Sequence, residues 1–238
     1  MNKEEFIELL KKENIPINNK IIEQLDTYKE FLIEYNEHTN LTAIKNEEDI
    51  YLKHFYDSVI LAKYYHFKDE KVLDIGTGAG FPGMVLKIFF PSLKITLLDS
   101  NNKKIKFLAE LCVKLGIKDV ETICERAEEY CRNNRETYDI VTSRAVSDLT
   151  ILSELSIPFL KKGGYFIPLK GGNKEEFASA QVAITTLGGI VEKEYDYTLP
   201  IEDSKRTILL IKKNKNTPSI YPRPYSKIVK NPLKKGKK

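Results

Sequence analysis

Apolar positions recur with a helical period over the first 66 residues and then give way to short apolar runs. Residues 3–12 alternate charged and apolar groups with the spacing of one helix, and residues 18–36 do so more clearly. There Ile21, Ile22, Leu25, Tyr28, Leu32 and Tyr35 form a single stripe. Asn40-Leu41-Thr42 breaks the pattern, and a third helix is expected over 47–65, where Leu52, Phe55, Tyr56, Val59 and Ile60 mark a core-facing side. From Lys71 the pattern changes to strands alternating with helices. Strands are predicted at 71–75, 94–98, 119–123, 138–142 and 164–169, with helices at 82–90, 102–115, 125–132, 148–160 and 174–187. Two more strands, at about 189–196 and 205–212, are joined by Tyr197-Thr198-Leu199-Pro200. That connection is too short for a crossover helix, so this pair is an antiparallel hairpin. The expectation is an α/β, Rossmann-like seven-stranded sheet (67–213), preceded by an N-terminal helical cap (1–66) and followed by a tail (214–238).

The first predicted strand runs into Asp74-Ile75-Gly76-Thr77-Gly78-Ala79-Gly80-Phe81-Pro82-Gly83. Glycines at alternate positions allow a sharp turn and close approach of a ligand, and Pro82 suits the first turn of a helix. The turn is expected to present free backbone amides to a nucleotide. As a string, Gly78, Gly80 and Gly83 fit the dinucleotide pattern G-x-G-x-x-G. Register favours another reading. The first glycine after the strand is Gly76, and Asp-x-Gly-x-Gly-x-Gly is similar to the first motif of S-adenosylmethionine-dependent methyltransferases. Asp99 ends the second strand 23 positions after Gly76, where an acid meets ribose hydroxyls. It also suits a helix N-cap for the run that follows. A seven-stranded sheet with a terminal hairpin fits the methyltransferase architecture and not a six-stranded dehydrogenase.

Composition narrows the class. Of 238 residues, 42% are hydrophobic and 30% charged, and no apolar run approaches the ~20 residues of a membrane span. The start, Met1-Asn2-Lys3-Glu4-Glu5, lacks a signal-peptide core. Cys112, Cys124 and Cys131 show no Cys-x-x-Cys spacing, and with three scattered histidines no metal site is expected. These features point to a cytoplasmic protein, expected to be a monomer. The net charge of +4 hides an asymmetry: residues 212–238 hold nine lysines, Arg223 and no acid, whereas the first 211 carry 28 basic against 34 acidic side chains. A tail of +10 behind a body of −6 is expected to meet a polyanion. Tyr221, Arg223 and Tyr225, set among prolines, are candidates to stack on bases and neutralise phosphates.

Ligands in open α/β sheets bind at the carboxyl ends of strands. The third tip carries Cys124-Glu125-Arg126-Ala127-Glu128-Glu129, whose acid and amides suit an adenine edge, although Glu128 and Glu129 also suit a solvated helix face. The fourth carries Ser143-Arg144-Ala145-Val146 and the fifth Leu169-Lys170-Gly171-Gly172. Ser-Arg-Ala-Val is not the Asp/Asn-Pro-Pro-Tyr/Phe that methylation of an exocyclic amine calls for. The cysteines follow Leu111, Ile123 and Tyr130, unlike the Pro-Cys common in pyrimidine C5 enzymes. A ring nitrogen such as guanine N7 already offers a lone pair and needs alignment only, which can supply about 7–11 kcal/mol. Arg144 and Lys170 at the mouth would hold phosphate or guanine edges, or act as surface charges.

Together with Asn40-Leu41-Thr42, His54-Phe55-Tyr56-Asp57-Ser58, Arg126-Ala127-Glu128-Glu129, Thr142-Ser143-Arg144-Ala145 and Leu169-Lys170-Gly171, the glycine loop resembles the bacterial ribosomal RNA small-subunit methyltransferase G family, also called glucose-inhibited division protein B. Tyr221-Pro222-Arg223 and Lys230-Asn231-Pro232-Leu233 are similar to its tail, with Lys-Asn-Pro-Leu where Lys-Lys-Pro-Leu is frequent. The resemblance covers nearly the whole chain. It implies S-adenosylmethionine-dependent N7 methylation of one guanosine in 16S rRNA near the decoding region of the small ribosomal subunit. It implies cofactor contacts at Gly76, Phe81, Ala127, Glu128 and Arg144, and places His54, Asp57, Arg126 and Lys170 near the RNA. With the residue-level reading, the candidate cofactor set is Gly76, Gly78, Gly80, Phe81, Asp99, Ala127, Glu128 and Arg144, and the candidate catalytic pair is Arg144 and Lys170. Rival readings are a dinucleotide-dependent oxidoreductase, a methyltransferase of another atom such as the ribose 2′-OH, and a non-catalytic ribosome-assembly factor.

Overall fold

The cap helices are built around aromatic residues that reach down onto the sheet. In the computed structural model, which describes residues 1–144 and 146–234, the chain opens with α1 (Lys3–Lys12) and α2 (Asn19–Thr39). A composite helix follows: α3 (Glu47–Asp49), a π-helical stretch (Ile50–Tyr56), α4 (Asp57–Val59) and a 3₁₀ turn (Ile60–Lys63). Then come β1 (Lys71–Ile75), α5 (Gly83–Phe89), β2 (Lys94–Asp99), α6 (Asn102–Lys114), β3 (Val120–Cys124), α7 (Ala127–Asn134), β4 (Tyr138–Arg144), α8 (Leu149–Ser156), β5 (Leu160–Gly171), α9 (Lys174–Thr186), β6 (Gly189–Leu199), β7 (Ser204–Lys213) and α10 (Tyr225–Lys230). Ala145 of the Thr-Ser-Arg-Ala run and the last four residues of the tail lie outside the described residues.

The sheet order is β3-β2-β1-β4-β5-β7-β6, with β7 antiparallel to both of its neighbours and the other pairs parallel. The seven-stranded sheet and its closing hairpin are therefore as the spacing predicts. Two boundaries differ for physical reasons. The helix expected to reach residue 160 ends at Ser156, because Pro158 has no amide to continue it and the chain tightens into a 3₁₀ turn (Ile157–Phe159). The helix expected from residue 125 starts at Ala127, since Arg126 takes an extended N-cap conformation. That leaves Glu125 and Arg126 at the sheet edge. Pro82 likewise sits at the N-cap of α5 rather than inside it.

Strand alternation divides the core. Val72, Ile95, Leu97, Ile140 and Ile167 pack with α2, α5, α6 and the composite helix, while Leu73, Leu98, Val141 and Phe166 pack with α8 and α9 on the other face. Both faces of the sheet are covered, as parallel strands require. The cap joins the first layer through Tyr28, which is wholly buried and stacked on Phe81 at 5.4 Å between ring centroids, with Phe55 and Phe107 against its sides. The Tyr28 hydroxyl donates to the carbonyl of Ala79 in the glycine loop. The cap thus grips the loop that the sequence marks as the nucleotide turn.

The tail is docked on the second layer, and two of its expected base- and phosphate-binding residues are used there. Tyr221 and Ile228 are buried, and Arg223 is clamped by the buried Glu154 through its backbone amide (2.9 Å), Nε (2.8 Å) and Nη2 (2.6 Å). Tyr221 and Arg223 are therefore engaged with the protein, not displayed for stacking on bases.

Gly80 tests the grip of the cap on the loop. Its φ is +103°, and a Cβ there would lie 2.5 Å from the Tyr28 hydroxyl and 2.9 Å from Leu108. At Gly78 (φ +62°) a Cβ would meet only the Gly76 carbonyl oxygen, at 4.0 Å. Gly80→Ala is expected to cost more than about 2 kcal/mol and Gly78→Ala about 1 kcal/mol in urea unfolding; equal losses would refute the packing role.

Candidate active site

Asp74, the last polar residue of β1, is fully buried and fastens the loop to its strand. Its Oδ2 accepts from Thr77 Oγ1 (2.7 Å) and the Gly83 amide (2.8 Å). Burial pushes its carboxyl up to about 7, and Oδ1 has no hydrogen-bond partner among the described residues. The loop amides, expected from the sequence to be free, are instead bonded within the protein at Gly76, Thr77, Gly78, Gly80 and Phe81. Gly76 and Thr77 donate to Leu98 O (2.8 and 3.1 Å), Gly80 and Phe81 to Thr77 O (2.9 and 3.0 Å), and Gly78 to Asp99 Oδ2 (3.1 Å). What the loop offers a ligand is space. A Cβ on Gly76 would come within 2.5 Å of Val146 Cγ2.

Two cavities open at the carboxyl edge of the sheet. The first, of about 320 Å³, is lined by Gly76, Asp99, Ala127, Glu128, Val146 and Tyr225 among others, a size within the ordinary range for small-molecule sites. Asp99 is buried; Oδ1 accepts from the Asn101 amide (2.9 Å) and Oδ2 pairs with Lys104 (3.4 Å). With the Gly78 amide also on Oδ2, the position left open is the second lone pair of Oδ1, which can accept from one ribose hydroxyl. Glu128, also buried, holds Arg126 Nε at 2.6 Å. Three acids (Asp99, Glu125, Glu128) thus face two cations (Lys104, Arg126) in this lining. That balance does not suit a pyrophosphate and does suit a cationic ribonucleoside.

The second cavity, of about 380 Å³, includes His54, Asp57, Arg144, Lys170 and Arg206 in its wall, with Lys53 and Glu202. Arg144 ends β4 and turns towards the cap. Its Nη1 donates to Lys53 O (2.6 Å) and Asp57 Oδ2 (3.2 Å), and its guanidinium carbon lies 5.2 Å from the centre of the Phe81 ring. Nη2 lies 3.1 Å from His54 Nδ1. A guanidinium only donates, so Nδ1 is the acceptor and the proton of the neutral ring sits on Nε2, 3.0 Å from Thr42 Oγ1. Burial, reinforced by the Arg144 charge, pushes the His54 pKa down to about 3. The His54 ring stacks on Phe81 at 4.1 Å. The π-helical stretch carries His54 and ends just before Asp57, and such wide turns are frequent at functional sites. Lys170 bonds Glu176 (2.6 Å) and Ser147 O (2.7 Å).

Of the residues singled out from sequence, Gly76, Asp99, Ala127 and Glu128 meet in the first cavity, with the Gly78 amide bonded to Asp99. Arg144 and Lys170 meet in the second. Gly80 and Phe81 turn to the cap and line neither. Arg144, the last residue of β4, lines the second cavity, and Val146 lines the first. The sequence reading assigned Tyr225 to stacking on nucleic-acid bases and not to this cavity, and it missed Tyr197 and Arg206 as site residues. Tyr197 donates to Asp57 Oδ1 at 2.8 Å, and burial together with Asp57 raises its phenol well above the usual range. Tyr197 fell in the predicted connection and Arg206 in the last predicted strand, and nothing local to either signals a partner in the cap.

Comparison with known proteins decides the family. The family model for rRNA small subunit methyltransferase G matches residues 21–207. The chain belongs to that family. It is 47% identical over 227 residues to the ribosomal RNA small subunit methyltransferase G of Oceanobacillus iheyensis, covering 94% of this chain and 95% of that protein. Its similarity to the Bacillus cereus protein of the same name is 45% over 239 residues, covering 99% and 100%. A crystal structure of a SAM-dependent methyltransferase from Aquifex aeolicus superposes with a TM-score of 0.52 at 19% identity, over 73% of this chain and 97% of that one. The chain is thus a methyltransferase of the G family built on the fold of S-adenosylmethionine-dependent enzymes.

The neutral buried His54 has a pH signature. Its folded pKa of about 3 lies below the unfolded value near 6.5, so the unfolded chain binds the extra proton between them. Stability from this site therefore falls as pH drops through that window, by up to about 1.4 kcal/mol per pH unit. The stability gap between wild type and His54→Gln is expected to shrink from pH 7 to pH 5 in urea titrations. A gap independent of pH would show that His54 is not held neutral.

Proposed function

We propose that this chain transfers a methyl group from S-adenosylmethionine to N7 of one guanosine in 16S rRNA of the small ribosomal subunit. The observation that carries the reading is the pair of cavities at the carboxyl edge of the sheet, one polar and acid-lined, one flanked by Lys53, Arg144, Lys170 and Arg206. In the first, Asp99 would hold one ribose hydroxyl, while Ala127 and Glu128 frame the adenine. Bound there, S-adenosylmethionine supplies an electrophilic sulfonium methyl.

The second cavity is where the nucleotide would enter, and its titratable groups are committed. Asp57 is paired with Arg144 and Arg206, Glu202 with Lys53 (2.6 Å), and both nitrogens of His54 are engaged. Lys170 is paired with Glu176 at 2.6 Å. No free general base stands in this wall among the described residues. Oxygen methylation at a ribose must remove a proton, whereas guanine N7 attacks with a ring lone pair and loses none. Alignment and exclusion of water then suffice. Arg144 Nε–H and its remaining Nη2–H make no hydrogen bond within the described residues, leaving a two-donor fork. A hydrogen bond to N7 would occupy the reacting lone pair, so this fork serves O6 or a phosphate.

We read residues 1–66 as the cap that walls the nucleotide side, 67–213 as the methyltransferase domain, and 214–238 as a basic tail. Cys112, Cys124 and Cys131 are free thiols, which supports a cytoplasmic setting. Exposed large apolar side chains are dispersed (Val113, Ile190, Ile201 and Ile220 lie on separate elements), which supports a monomer. No helix among the described residues is long and apolar enough to cross a membrane, and no group of three or more metal-binding side chains occurs among them.

Labelled-methyl transfer into small ribosomal particles lacking the modification, followed by cleavage chemistry specific for 7-methylguanosine, tests the reaction. One cleavage in 16S rRNA is expected; label without cleavage would move the target off N7, and no label with cofactor bound would favour an assembly factor. RNA affinity provides a second test. Removing the whole tail from residue 214 would delete buried Thr217, Tyr221 and Ile228, and Leu233 packs on the core, so the informative truncation begins at 234. It deletes Lys234, Lys235, Lys237 and Lys238, and should lower the salt slope of particle binding by up to about three. An unchanged slope would place the RNA contacts elsewhere.

A further inference from the structure

The docked tail reaches the first cavity, and Tyr225 is part of its wall. Its anchors are partners between 30 and 86 residues away in sequence. Thr217 Oγ1 donates to Leu187 O (2.7 Å). Arg135 donates to Thr217 O (3.0 Å) and to Tyr221 O. Arg223 is held by buried Glu154, and Ile228, three residues after Tyr225 in α10, is buried. The Tyr225 ring then lies 4.2 Å from the guanidinium carbon of Arg126, which is simultaneously paired with Glu128. Carboxylate, guanidinium and aromatic ring form one chain of contacts along the cavity wall beside β3.

From this geometry we infer that the C-terminal segment completes the cofactor site, with Tyr225 flanking the purine end and Arg126 fixed between it and Glu128. The inference rests on the cofactor reading above. Its physical basis is the sheet order. Asp99 at the tip of β2 addresses the ribose, and the neighbouring tip of β3, where Ala127, Glu128 and Tyr225 converge, is where the attached base must lie. Tyr225 is 37% exposed, so its face is not consumed by the core. An aromatic face offered beside a purine gains stacking energy without hydrogen-bond readout. Because the ring is positioned only while the tail is docked, cofactor binding and tail docking stabilise each other reciprocally.

Binding of S-adenosylmethionine, S-adenosylhomocysteine and adenosine to the full chain, measured by calorimetry, tests this. Tyr225→Ala should weaken all three by at least about fivefold, and Tyr225→Phe should stay within about twofold of wild type. Arg223→Ala, which alters the anchor without touching the cavity, should weaken them as well. Conversely, S-adenosylhomocysteine should slow tryptic cleavage after Lys227 and Lys230 in wild type and not in Tyr225→Ala. Thermal unfolding of each variant identifies a folded sample. Wild-type binding with unchanged affinity in folded Tyr225→Ala overturns this inference alone. Absence of S-adenosylmethionine binding by wild type overturns the cofactor reading with it.

Discussion

One buried carboxylate ties the substrate side of this enzyme together. Asp57, from the cap, accepts from Arg144 at the end of β4 (3.2 Å), from Tyr197 on β6 (2.8 Å) and lies 3.5 Å from Arg206 on β7. Stranding a charge in such a site costs about 3–5 kcal/mol, so cap, parallel strands and hairpin must all be in place together. Tyr197 and Arg206 are direct partners in the β6–β7 register. A slip of one residue would turn both away from Asp57. The hairpin register is therefore a condition of the site and not only of the sheet.

Arg144 extends the same constraint to the cofactor side. Its guanidinium lies over Phe81, which stacks on Tyr28 of the cap and on His54. The glycine loop is thus held from above by aromatic packing and from below by Asp74. Preorganisation of this kind suits a reaction in which the protein aligns two reactants and moves no proton. The division of labour between the cavities shows at two residues close in sequence, the last of β4 and one just beyond it. Arg144 faces the cation-rich space and Val146 the acidic one.

Much of this was legible in the residues. The cap stripe of Leu25, Tyr28 and Leu32 is buried as its period implied, and all seven strands fall where alternation placed them. Asp99 and Gly76 stand at the cavity because strand ends and loop glycines are local features. Phe81 and Gly80 sit in the same loop, yet they face Tyr28, a partner 50 positions earlier. Nothing within the loop encodes that direction. The tail reads as a free basic arm because its charge is visible and its anchors are not. Glu154 and Arg135 look like surface helix residues until the fold places them under Arg223 and Tyr221.

The sequence by itself determined the strand–turn–helix units, their order, and the residue types at each strand tip, because period, glycine spacing and short connections act over a few residues. The tertiary structure alone decided which tips share a cavity, that the loop amides close on Leu98, Thr77 and Asp99, and that Tyr225 joins Ala127 and Glu128. Those outcomes depend on side-chain direction and on contacts between distant segments, and both are set only when the layers pack.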